Sequence, residues 1–329
     1  MRRVHRMDLR NETRAFMRNQ AMGLNSPGGR HGLRWFLILA ALSIPLLFLT
    51  HCASSPSYPR TLYDRPSPFN NILVLEDENG LRTLYFEPGG ARQSVSKPGD
   101  PDHLELAYAK TMLGGLALCD EPRRMLIVGL GGGTIPKFLH KYYPRSVIDV
   151  VDIDPDVVKV ARKFFEFHED SKLRAFVNDG RKFIEDRPGL YDIIFLDAFG
   201  TDRIPYHLAT REFLLAVKKA LTPRGVALGN IWKRSHNSLY DSMMRTYLDV
   251  FDEVHFMDVP VAVNAILAAI PRRLHLTCQD IASRAGYVSR TKGFLFDMGK
   301  VLEAGCRPID QEMMDGHVLT DANRPSGPP

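Results

Sequence analysis

The chain predicts an α/β protein built on a doubly wound, mostly parallel sheet of seven strands, preceded by a small β-hairpin element. Three observations carry the prediction. Apolar runs at residues 125–128, 147–151 and 193–196, and a third unit closing at Asn178-Asp179-Gly180, each end in a glycine-rich or acidic stretch. A helix-like segment at 135–143 separates the first two runs, which is the rhythm of strand–crossover–strand units. The last two runs, 254–259 and 265–270, lie too close for a crossover helix and are expected to pair antiparallel.

Taken in order, residues 1–52 form a basic leader with a hydrophobic segment, and residues 53–68, with four prolines, read as a linker. Residues 69–101 read as a small β-rich element. Strands at 71–76 and 81–86 flank Asp77-Glu78-Asn79-Gly80, whose Asn-Gly favours a hairpin, and 87–101 reads as a loop. The main domain, 102–273, opens with a helix pattern at 103–118. After the fourth strand come a helix at 209–221, a strand at 226–231 and a helix at 239–251. Five parallel strands followed by a terminal hairpin are the layout of a class I methyltransferase-like, Rossmann-like sheet. Residues 274–329 form a C-terminal extension with a helix at 276–285 and a tail from Asp321 that reads as disordered.

Composition narrows the class. The 329 residues are 44% hydrophobic and 25% charged, ordinary values for a chain with a sizeable core. The net charge of +5 belongs to the leader: residues 1–34 hold eight arginines against Asp8 and Glu12, a surplus of +6 that leaves −1 elsewhere. The folded part has no basic surplus for a phosphate backbone, so no nucleic-acid partner is expected. Cys52, Cys119, Cys278 and Cys306 show neither C-x-x-C nor Cys/His ligand spacing. The sequence therefore predicts no metal site and no disulfide framework, and Cys119 reads as a core residue.

Arg30, His31 and Arg34 precede sixteen uncharged residues, 35–50. That run is short for a spanning helix, which needs about 20 residues, and suits a secretory signal or an anchor. It ends in Leu49-Thr50-His51-Cys52, which looks like a bacterial lipoprotein box. Membrane association through the leader is the expectation, with Cys52 as the lipid-bearing residue.

The loop after the first strand carries the chemistry. Gly129, Gly131 and Gly133 let the backbone turn sharply and approach a ligand, and the helix that follows offers free N–H groups. A dinucleotide fingerprint wants glycine or alanine at the sixth position; here it is Thr134. The pattern suits an adenosyl nucleoside without pyrophosphate. Asp152 lies 23 residues past Gly129 at the end of the second strand, where a carboxylate accepts both ribose hydroxyls. Asp179, followed by Gly180, ends the third strand and is placed to accept from the adenine amino group.

Gly129-Leu-Gly-Gly-Gly-Thr, Val151-Asp-Ile-Asp-Pro, Asn178-Asp-Gly-Arg and Tyr191-Asp-Ile-Ile-Phe-Leu-Asp resemble the spermidine synthase (polyamine aminopropyltransferase) family and its spermidine-synthase-like relatives, from about residue 69 to 270. The resemblance implies a transferase that moves an aminopropyl group from decarboxylated S-adenosylmethionine to an amine, and a homodimer. It implies that Asp197 orients the amine and takes its proton, and that Gln93 and Tyr108 line the substrate site.

The acceptor half departs from that family. Its second aspartate, three residues after the first, is replaced by Gly200, and Tyr108 is followed by Ala109-Lys110 rather than a glutamate and a histidine. A diamine needs a carboxylate at both ends, because burying an unpaired ammonium is costly; Asp102, Glu105 and Asp202 are the candidate replacements. His207 reads as a capping or packing residue, with a base as the alternative. Methyl transfer from S-adenosylmethionine and a non-catalytic, membrane-tethered nucleoside-binding module remain the alternatives to aminopropyl transfer.

Overall fold

Two apolar clusters lie on opposite faces of one sheet, which is why its central strands carry almost no polar side chains. One face is filled by Phe138, Phe165 and Phe167, the other by Tyr191, Phe183 and Phe213. The computed structural model describes residues 58–119, 121–199, 204–307, 309 and 315–324. The leader, with Cys52, lies outside the described residues. No helix among those described is long and apolar enough to cross a membrane.

The chain enters through a four-stranded antiparallel sheet, β1 (Arg60–Pro66), β2 (Asn71–Glu76), β3 (Arg82–Tyr85) and β4 (Arg92–Ser96), paired in that order. The expected hairpin is β2–β3. Two strands were not legible: β1 falls inside the stretch read as a linker, and β4 inside the stretch read as a loop. Strand β1 is an edge strand with mostly exposed residues, so it has no alternating apolar face, and its order comes from the ladder it shares with β2. Strand β4 buries Ser94, Val95 and Ser96, a polar segment whose partner surface is supplied by the main domain.

The main sheet contains β5 (Arg124–Val128), β6 (Val147–Asp152), β7 (Leu173–Val177), β8 (Tyr191–Leu196), β9 (Leu221–Trp232), β10 (Glu253–Asp258), β11 (Asn264–Ile270) and β12 (Cys306–Arg307). Their order is β12-β10-β11-β9-β8-β5-β6-β7. Strands β5 to β9 are parallel, and β11 runs antiparallel between β9 and β10. The seven expected strands are all present; the two-residue β12 adds an eighth at the β10 edge.

Crossovers are made by α2 (Thr134–Tyr142), α3 (Pro155–Phe164), α4 (Gly180–Glu185), α5 (Arg211–Ala220) and α6 (Tyr240–Val250), while α1 (Ala107–Met112) runs into a 3-10 turn before β5. Local chemistry sets their starts. Asp154 caps α3 by accepting from the Asp156 N–H at 2.9 Å, with Pro155 in the first turn where its missing N–H costs nothing.

Two expectations for the C-terminal extension are corrected. Cys278 and Cys306 form a disulfide, with Cα atoms 5.5 Å apart. Cys278 starts α7 (Cys278–Lys292), and the return through α8 (Met298–Glu303) lays Cys306 beside β10; nothing in the spacing of 28 residues announces that return. The stretch from Asp321 is also not loose as far as Arg324, where the described residues end. Leu319 is buried against the β8–α5 side, and Asp321 accepts from Arg181 at 2.8 and 2.7 Å and from Thr210 at 2.9 Å.

A candidate nucleoside and amine cleft

The carboxyl ends of β5, β6, β7, β8 and β9 open into one cleft of about 1290 Å³, roofed on one side by β4. All the expected site residues except Gly133 line it. At its floor the glycine loop leaves β5 with Gly129 at φ 99°, and a Cβ there would lie 2.4 Å from the carbonyl oxygen of Asp197. Gly129 is therefore what lets β5 and β8 end in close contact. Gly131 (φ 53°) passes under β4, and Gly133 (φ 71°) precedes α2, packed on Phe167. Thr134, the residue that speaks against a dinucleotide, also braces the structure, since its hydroxyl bonds Ser94 Oγ at 3.0 Å and the Val95 carbonyl at 3.3 Å. That clamp seats β4, and with it Gln93, over the glycine loop. The Gln93 amide donates to the Ala91 carbonyl, two residues back, at 3.5 Å.

Asp152 ends β6 with both oxygens engaged by backbone: Oδ2 accepts from Leu130 N–H at 2.8 Å and Oδ1 from Asp154 N–H at 2.9 Å. The Gly131 N–H also acts on it, and the acceptor capacity a carboxylate has beyond these bonds suits a ribose hydroxyl. Burial pushes its carboxyl up to about 6 despite those N–H groups. Such a group gains from a hydroxyl donor. Asp179 caps α4, accepting from Lys182 N–H at 3.1 Å, and its Oδ2 lies 2.9 Å from His207 Nε2. Burial works to raise its carboxyl, but Lys182 N–H and His207 together hold it below the ordinary value. Gly180 follows in the first turn of α4, where a Cβ would lie 2.5 Å from Val128. His207 is thus neither a helix cap nor a core residue; it lines the cleft and shares Asp179 with any ligand amino group there.

Asp197 follows the last residue of β8. Tyr108 Oη donates to its Oδ2 at 3.1 Å, and Asn230 Nδ2 donates to its Oδ1 at 2.8 Å. Asn264 Nδ2 in turn donates to Asn230 Oδ1 at 3.0 Å. Burial pushes the Asp197 carboxyl up to about 7, with Asn230 and Tyr108 pulling the other way. A carboxyl so placed exchanges a proton near neutral pH. Asn230 and Asn264 were missed in the sequence, although an asparagine inside the apolar run Val226-Ala-Leu-Gly-Asn-Ile is a signal of a satisfied polar contact.

Of the candidate second carboxylates, Asp102 pairs with Lys141 and does not line the cleft. Glu105 lines it, 3.7 Å from Arg92 and 3.2 Å from His103. Gly200 and Asp202 lie outside the described residues. Lys110 does not line the cleft and sits over the Phe296 ring at 5.8 Å. Among the described residues no cluster of metal-ligating side chains exists.

Known proteins resemble this chain in sequence and in fold. A family model described as "Spermine/spermidine synthase domain" matches residues 105–267. A polyamine aminopropyltransferase of Vibrio vulnificus is 36% identical over 229 residues, which is 66% of this chain and 76% of that protein. A probable spermidine synthase from Corynebacterium glutamicum superimposes with a TM-score of 0.60 over 70% of this chain and 93% of that one; at 20% identity this likeness shows the fold. Human methyltransferase-like protein 13, solved in complex with SAH, is 28% identical with a TM-score of 0.50, over 63% of this chain and 97% of that one. With more than a third of residues identical across three quarters of an aminopropyltransferase, on the same sheet, the chain belongs to the spermine/spermidine synthase family of transferases.

Proposed function

We propose that the chain transfers an aminopropyl group from decarboxylated S-adenosylmethionine to a small amine. Asp197 carries this reading: a carboxyl pushed up to about 7 stands at the fourth strand end, against the glycine loop. In the transfer, the nitrogen lone pair forms a bond to the propyl carbon attached to sulfur. The carbon–sulfur bond breaks with its electron pair passing to sulfur, which leaves as a neutral thioether nucleoside. The proton shed by nitrogen goes to Asp197. Tyr108 and Asn230 hold the carboxylate for in-line attack, and most of the rate comes from that positioning. Asp152 takes the ribose hydroxyls, Asp179 the adenine amino group, the loop of Gly129, Gly131 and Gly133 with Gly180 the nucleoside body, and Gln93 the amine side.

Methyl transfer from S-adenosylmethionine is the second reading, favoured by the SAH-bound human relative at 28% identity. Calorimetry with both nucleosides separates the two. Tighter binding of the decarboxylated form is expected; tighter binding of the carboxylated form would reverse the assignment.

We further propose that the folded part works across a membrane from its site of synthesis. The arginine-flanked apolar run ending at Cys52 supports this, as does the Cys278–Cys306 disulfide, since such bonds persist in oxidising compartments. A shortened, lipid-labelled chain beginning at Cys52 is expected. An unlabelled chain with both thiols open to alkylation in cells would sink the idea.

A further inference from the structure

The parallel register of β8 and β9 brings two pairs of residues together at the cleft, one beyond the other. Leu196 is in register with Gly229; the next residues, Asp197 and Asn230, are hydrogen-bonded at 2.8 Å. Two residues further along each chain, Phe199 and Trp232 stack with ring centroids 5.5 Å apart and planes 23° from parallel. Both rings line the cleft. The period of two along an extended chain puts them on the same side as the carboxylate and its partner. The proton acceptor is therefore followed outward by an aromatic wall.

One side of that wall is apolar, while His236, Asn237 and Ser238 line the cleft after Trp232 in the chain. Pro260, Val261 and Val263, from the β10–β11 turn, line the same cleft. Val261 is fully exposed and sits at φ 59°, a conformation that β-branched residues rarely adopt. A strained, wholly exposed valine at the rim of a cleft is a feature that a folded chain keeps for a contact rather than for stability. Lys233, the residue after Trp232, is engaged: it bonds the Val259 carbonyl at 2.9 Å and lies 2.7 Å from Asp258. Of the described carboxylates lining the cleft, Asp152 and Asp179 belong to the nucleoside end, and Glu105 is shared by Arg92 and His103.

We infer that the acceptor is a primary amine with one reacting nitrogen and an apolar or aromatic body, which the Phe199–Trp232 wall and the Val261–Val263 rim take out of water. This rests on the aminopropyl-transfer reading. Among the described residues, Asp197 is the carboxylate at the foot of this wall, and it matches one amine. A second ammonium at the far end of a short diamine would be desolvated against Pro260, Val261 and Val263, whereas an apolar body gains from the same burial and an aromatic one stacks on the exposed ring face. The wall thus acts on specificity, while Asp197 acts on the reacting nitrogen.

The test is steady-state transfer by the full chain from decarboxylated S-adenosylmethionine to three amines: 2-phenylethylamine, n-hexylamine and 1,4-diaminobutane. The expected result is a kcat/KM at least tenfold higher for the first two. W232A should erase that advantage through KM with kcat little changed, and W232F should retain it. A diamine preferred tenfold, or a preference untouched by W232A in a folded variant, overturns the inference. Donor binding by calorimetry without transfer to any amine would sink the transfer reading and this inference with it, and is distinguished from a diamine preference by the absence of product.

Discussion

Asn230 Nδ2 donates to Asp197 Oδ1 over 2.8 Å, one rung beyond the last register pair of β8 and β9. Because Asn264 donates to the Asn230 oxygen at 3.0 Å, the amide meets Asp197 with its N–H side. The carboxylate is therefore gripped from β9 as well as from Tyr108 on α1. Its raised proton affinity is the balance between burial and those two donors.

Removing Asn230 should shift that balance. A hydrogen bond to a charged group is worth about 1.5–3 kcal/mol, which is roughly 1–2 pH units on the ionisation it favours. With Asp197 as the proposed proton acceptor, the acid limb of the turnover profile is expected to move to higher pH in N230A. An unmoved limb would remove Asn230 from the proton-transfer unit.

D197N tests the carboxylate itself. Turnover should fall by roughly 10²–10⁴-fold, the usual contribution of a positioned general base, with nucleoside affinity nearly intact. Stability should move the other way. The Asp197 carboxyl is raised in the fold above its ordinary 3.8, so its contribution is present below about pH 4 and lost as pH climbs through about 7. The amide escapes that loss. Denaturant melts should show D197N more stable than the parent at pH 8 by up to about 4 kcal/mol, with the gap narrowing at pH 5 and closing below about pH 4.

At the nucleoside end, D152A should weaken binding by about 1.5–3 kcal/mol, since that carboxylate has acceptor capacity beyond its backbone bonds for a ribose hydroxyl. Calorimetry that finds unchanged affinity removes Asp152 from the ribose role.

The disulfide makes a separate prediction. Joining residues 28 apart removes unfolded-chain entropy worth about 2–4 kcal/mol. C278S/C306S should lower the unfolding free energy by that amount while leaving nucleoside affinity unchanged, because neither cysteine lines the cleft. Thermal melts in reductant provide the check.

The glycine-loop half of the cleft was legible because it is local. Each of its signals, the Gly129–Thr134 loop, Asp152 and Asp179, sits at the end of a strand whose apolar run marks it, and a parallel sheet brings strand ends to one edge without further instruction. The core strands were legible for the same reason. The segments misread were those without a pattern of their own: β1 and β4, ordered by ladder partners; the tail at Asp321, ordered by Arg181 and Thr210; and Cys306, carried to Cys278 by the return of α7 and α8. The acceptor half belongs to this second group. That Asp197 meets Asn230, and Phe199 meets Trp232, depends on the register between β8 and β9, which is set by a hydrogen-bond ladder among residues more than thirty apart in the chain. The amino-acid sequence by itself determined the sheet, its edge and the strand-end carboxylates Asp152 and Asp179; only the tertiary structure decided what surrounds Asp197, because a one-residue slip of that register would turn those side chains to the other face.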